Sequence, residues 1–155
     1  MRSYMLIVVS CAGLILMPFA AAQSPSPLPG ASYVPRLGDI MGMTQLRHLK
    51  LSFAGKLRNW DLAAYELDQI KESFQDAATL YPGIPVTDMT IVAEPVRRLA
   101  EAIQAKDSRK FSDAFAQLTT ACNGCHQSIG RGFIVIQAPT SSPFSNQTFE
   151  PSARP

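Results

Sequence analysis

Two cysteines and a histidine stand together late in the sequence, as Cys122-Asn123-Gly124-Cys125-His126. Thiols three residues apart share one face of a helix, so both can bond one edge of a flat group lying beside it. The adjoining imidazole is then placed to reach a metal at the centre of that group from one side. This is the C-x-x-C-H arrangement of covalent haem attachment, with thioethers from Cys122 and Cys125 to the two vinyl groups and His126 on the iron. Gly124 brings no side chain that could crowd the porphyrin edge. C-x-x-C also serves dithiol redox enzymes and zinc sites, and a plain disulfide between these two cysteines is a further alternative. A thioredoxin-like dithiol belongs at a strand-to-helix junction, whereas this pair falls late in a helical pattern with no βαβ unit upstream. Zinc needs a fourth ligand, and His48 is the one other histidine.

The elements that must hold this motif read as four helices. Over residues 37–58 two stripes run at steps of three and four, with Asp39 as the expected N-cap. Leu46, Leu49, Phe53 and Leu57 form one stripe; Met41, Thr44, His48, Leu51 and Gly55 form the other. A helix with two such faces belongs inside a bundle. Asn59 is the expected cap of a second helix reaching residue 81, where Pro82-Gly83 stops it. Ala63, Leu67, Ile70, Phe74, Ala77 and Tyr81 give its inner stripe, and Glu66, Asp68, Lys71, Glu72 and Asp76 are expected on its wet face. A third helix over residues 88–105 contains Pro95, which must kink it or mark its first turn. Asp107 is placed to cap the fourth, over residues 108–129, with Gly130 as its stop. Its stripe is the cleanest: Phe111, Phe115, Leu118, Cys122, Cys125 and Ile129. Short links between amphipathic helices predict an all-α fold, an antiparallel four-helix bundle with an extended C-terminal tail. In that tail, residues 133–136 are apolar and expected to lie extended across the bundle, with Phe144 and Phe149 as anchors.

The ends of the chain bear on where it works. Arg2 precedes an apolar run over residues 5–20, and Ala20-Ala21-Ala22 follows. That is the pattern of a signal peptide, residues 1–22, cleaved near Ala22/Gln23 on export. An uncleaved anchor competes with this reading, but the run is short for a span. Val8-Val9-Ser10-Cys11 resembles a lipoprotein box, yet Cys11 sits early and the apolar run continues beyond it. Residues 23–36 form a Pro- and Ser-rich lead-in expected to be disordered. Cleavage removes Cys11 and leaves only the motif's two cysteines, which is no disulfide scaffold. Of 14 Lys and Arg against 12 Asp and Glu, Arg2 goes with the leader, leaving 13 against 12. So even a balance gives no footprint for nucleic acid, and no later segment predicts stable membrane insertion of the mature chain.

A leader, four helices and C-x-x-C-H near the end of the last helix resemble the class II c-type cytochromes, the bundle group containing cytochrome c-prime and its low-spin relatives. The resemblance covers residues 37–130 and implies one covalent haem c, with its thioethers at Cys122 and Cys125 and its proximal ligand at His126. Residues 131–155 extend past the usual end of that fold. In the low-spin members a methionine early in the first helix is the second axial ligand; in cytochrome c-prime that position is open and the iron binds small gases. His126 lies about 6 Å from the end of helix four, Met41 about as far in from the start of helix one, and His48 about 10 Å deeper. Height favours Met41 as the distal ligand, then Met43, then His48, with an open position as the remaining case. His48 could instead bond a propionate or remain at the surface between Arg47 and Lys50. Trp60 is expected to pack at the start of helix two. The expectation is a periplasmic one-electron carrier between redox partner proteins rather than an enzyme, with a five-coordinate NO- or CO-binding protein as the alternative. Dimers occur in the resembling family, so a homodimer is allowed.

Overall fold

The computed structural model describes residues 33–84 and 86–152. The expected leader, Cys11, most of the expected lead-in and the last three residues lie outside them. Four helices follow in order: α1 (Leu37–Lys56), α2 (Trp60–Leu80), α3 (Val86–Gln104) and α4 (Ser108–Ser128). Among the described residues there is no strand, and no helix is long and apolar enough to cross a membrane. The fold is an all-α four-helix bundle, with a non-helical tail after α4.

Two helical hairpins, α1–α2 and α3–α4, are closed by the same device. Each first helix ends in a left-handed residue, Arg58 at φ 59° or Lys106 at φ 53°. The following amide bonds back across the last turn, from Asn59 to the Ala54 carbonyl at 2.8 Å and from Asp107 to that of Ala102 at 2.9 Å. That satisfies orphan carbonyls in the manner of a Schellman motif. The same residues then cap the next helix: Asn59 Oδ1 accepts from the Leu62 amide, and Asp107 Oδ1 from those of Arg109 and Lys110. So both expected caps hold. The expected Asp39 cap does not. Arg36 is the N-cap and makes no side-chain cap bond; Asp39 lies in the first turn and pairs with Arg36 at 3.1 Å. An acid in the first turn suits the helix dipole equally well, which is why sequence alone could not separate the two positions.

The helix stripes meet in one core. Leu51, Leu67, Ile70, Leu99 and Leu118 are almost fully buried, and Phe111 and Phe115 stack with ring centroids 6.0 Å apart. Gly55 allows the closest approach, because a Cβ there would overlap the ring of Phe111. Trp60 meets Phe111 edge-on at 6.0 Å, as expected of a packing residue at the start of α2. Pro95 lies well inside α3, not at its first turn. Leu57 is exposed, because α1 has already ended before it.

Glu66 overturns its expected place on the wet face. It is 1% exposed and accepts from Arg47 of α1 at 3.1 Å, so α1 and α2 share a buried ion pair. The charge pattern of α2 misled because an acid one position from the inner stripe reads as solvated unless its partner on another helix is known.

The tail returns along the bundle. Lys56 Nζ donates to the Pro139 carbonyl at 2.6 Å and Asn59 Nδ2 to that of Glu150 at 3.0 Å. Phe149 is buried against Phe53, and Phe144 packs on Phe149 with Lys50 over its ring at 5.1 Å. Both expected anchors therefore hold the tail to the core.

Candidate functional site

An antiparallel order puts the start of α1, the end of α2, the early part of α3 and the end of α4 at one end of the bundle. There the inward stripe of α4 leaves the packed core and enters a cavity of about 530 Å³. This is within the roughly 300–1,000 Å³ of small-molecule sites. Cys122, Cys125, His126 and Ile129 line it from α4, and Leu37 and Met41 from α1. Phe74 and Val92 add apolar wall from α2 and α3, and Ile134 and Ile136 from the tail. Among the described residues, Arg131 is the one Lys, Arg, Asp or Glu that lines it.

His126 is held by the chain that follows it. Gly130, at φ 71°, ends α4 as expected, and the Arg131 amide turns back to the His126 carbonyl at 2.6 Å. The turn brings the Ile134 carbonyl to 2.8 Å from His126 Nδ1. A carbonyl only accepts, so Nδ1 carries the proton and Nε2 keeps its lone pair; the tautomer follows from the partner. This is how a histidine is prepared for a metal, since the bonded nitrogen fixes the ring and raises the basicity of the other.

The α1 side of the cavity separates the three distal candidates. Met41 is half-buried and lines it. Met43, two residues on, is 48% exposed and is not among the lining residues. His48 lines the deeper part, but it is buried rather than at the surface between Arg47 and Lys50. Its ring stacks on Phe115 at 4.4 Å, and its Nε2 lies 2.8 Å from Thr119 Oγ1. The Thr119 hydroxyl donates to the Phe115 carbonyl at 3.0 Å, so it accepts from His48 and fixes the proton on Nε2. Burial lowers the His48 pKa to about 4, which keeps the ring neutral.

The thiols line the cavity and are poorly set for exchange. No disulfide joins Cys122 to Cys125. Burial first, and the Cys125 charge second, push the Cys122 thiol up to about 11, whereas dithiol exchange works through an accessible thiolate. The pair also sits at the C-terminal end of α4, where the helix dipole does not favour an anion. Among the described residues no group of three or more His, Cys, Asp or Glu is arranged to hold a metal ion. Gly124 is not part of the cavity; it borders a shallow groove with Ile91 and Pro95, and a Cβ there would meet nothing within 4 Å.

The chain matches no family model, no curated protein and no solved structure. The chemistry of the site therefore rests on its own geometry. Sequence reasoning gathered Cys122, Cys125, His126 and Met41, and these four share the cavity. It missed Ile134, Ile136 and Asn123. Asn123 acts on the tail's backbone and Ile134 through its carbonyl, and a backbone group leaves no mark in a sequence; the available signal was the apolar run placed just after the motif.

Proposed function

We propose that this chain is an exported mono-haem c-type cytochrome of the class II kind, passing single electrons between redox proteins. One observation carries the reading: His126, with Nδ1 bonded to a carbonyl and Nε2 left as the unprotonated nitrogen, lines a cavity that two thiols also line. The donor set fits haem. Cys122 and Cys125 would hold it covalently, His126 Nε2 would bind the iron, and Met41 would supply the thioether sulfur from α1. When bound, the haem supplies a reversible one-electron iron couple. The apolar residues around it exclude water, which favours the less charged ferrous form and narrows reorganisation on electron transfer. Arg131 suits a propionate at the rim. Met41, half-buried and lining the cavity, supports a carrier over a gas-binding iron with an open position.

Covalent attachment suits a periplasmic location, because haem lost outside the cytoplasm is not easily recaptured. The partners are larger redox proteins met through a small, transient interface near the exposed haem edge. The test is the optical spectrum of the purified holoprotein, oxidised and reduced, with and without carbon monoxide. The carrier reading expects low-spin bands, a sulfur-to-iron charge-transfer band in the oxidised form, and slow CO uptake. High-spin bands with rapid CO uptake contradict it and favour a five-coordinate gas-binding protein.

A further inference from the structure

The loop after α4 is bonded to the motif through His126 and through Asn123. From within the motif, Asn123 Nδ2 donates to the Ile136 carbonyl at 2.9 Å, and its Oδ1 accepts from the Ile136 amide at 2.7 Å. One side-chain amide thus satisfies both backbone groups of one residue, as a neighbouring strand would, and fixes orientation as well as position. At its other end the loop is tied by the Arg131 amide to the His126 carbonyl. Between these two fixed points lies Ile134, whose carbonyl meets His126 Nδ1. Burial grips the loop at Ile136, 9% exposed, but not at the residues before it: Phe133 is 79% exposed, Val135 63% and Ile134 42%. Segments with few buried contacts open readily unless something else holds them.

We propose that Asn123 is a positioning residue for the iron ligand: by clasping Ile136 it keeps the Ile134 carbonyl on His126. The inference rests on the haem reading above. The bond from Nδ1–H makes Nε2 a stronger donor, which favours the ferric state and lowers the reduction potential. The tail, which the resembling fold lacks, thereby becomes part of the redox site.

The experiment compares wild-type holoprotein with Asn123→Ala and Asn123→Asp. Alanine is a good helix residue at this half-buried position, so the fold is kept. Aspartate retains the acceptor for the Ile136 amide and loses the donor. Two readouts are taken: proton exchange at Ile136 N and His126 Nδ1 on the reduced protein, and the midpoint potential by redox titration. Asn123→Ala is expected to speed both exchanges by about ten- to a hundredfold, the weight of the two hydrogen bonds lost, and to move the potential positive. Asn123→Asp is expected to fall between. A haem-loaded Asn123→Ala variant with unchanged potential and unchanged Nδ1 exchange overturns this inference alone. A wild-type chain isolated without haem overturns the reading beneath it and this inference together.

Discussion

Three side chains at the cavity end respond to substitution in ways that separate their roles. Met41 lines the cavity, so Met41→Ala removes the proposed sulfur ligand without opening the core. The expected result is a high-spin ferric spectrum with CO uptake faster by orders of magnitude, read by stopped flow. Met43→Ala, at an exposed position, is expected to leave both unchanged. His48 is held neutral with a pKa of about 4 against its ordinary 6.5. As pH falls below 6.5 the unfolded chain takes up this proton first, so stability is full above 6.5 and declines until about pH 4. The loss is about 3 kcal/mol at most. Denaturant melts across that window check it, and His48→Gln should flatten the slope. Arg47 and Glu66 are 19% and 2% exposed at their side chains. Arg47→Ala leaves Glu66 buried and uncompensated, at a cost of about 3–5 kcal/mol. Arg47→Met with Glu66→Leu should restore most of it, measured by thermal unfolding.

At the level of elements, the four helices were legible because periodicity and caps agreed. Asn59, Asp107 and Gly130 carried the signals for which their residue types are suited. What stayed illegible depends on a second element. Glu66 lies inside because Arg47 approaches from α1, and His48 lies inside because Thr119 and Phe115 of α4 receive it. Gly55 is another such case. On sequence it was one member of a stripe, and in the fold it is where α1 admits the Phe111 ring. Gly55→Ala drives a Cβ into that ring, which must shift against Trp60 and Phe115. The expected destabilisation is about 1–3 kcal/mol, despite alanine's better helix propensity, and chemical denaturation measures it.

For the whole molecule, the bundle's topology is what makes the site. Four helices running alternately bring α1's start to α4's end, so Met41 and the C-x-x-C-H motif, some eighty residues apart in the chain, reach one cavity. That juxtaposition was legible from the motif and the helix count together. The tail's contribution was not, since it acts through the carbonyl of Ile134 and the clasp on Ile136. The account stands or falls on covalent haem at Cys122 and Cys125. The most direct measurement is the intact mass of the full chain, expressed with the cytochrome c maturation machinery and purified under denaturing, acidic conditions. The expected mass is that of the processed polypeptide plus one haem, with Cys122→Ala and Cys125→Ala together returning it to the polypeptide alone. A wild-type chain of polypeptide mass only, from cells that load haem onto another C-x-x-C-H protein, contradicts the account.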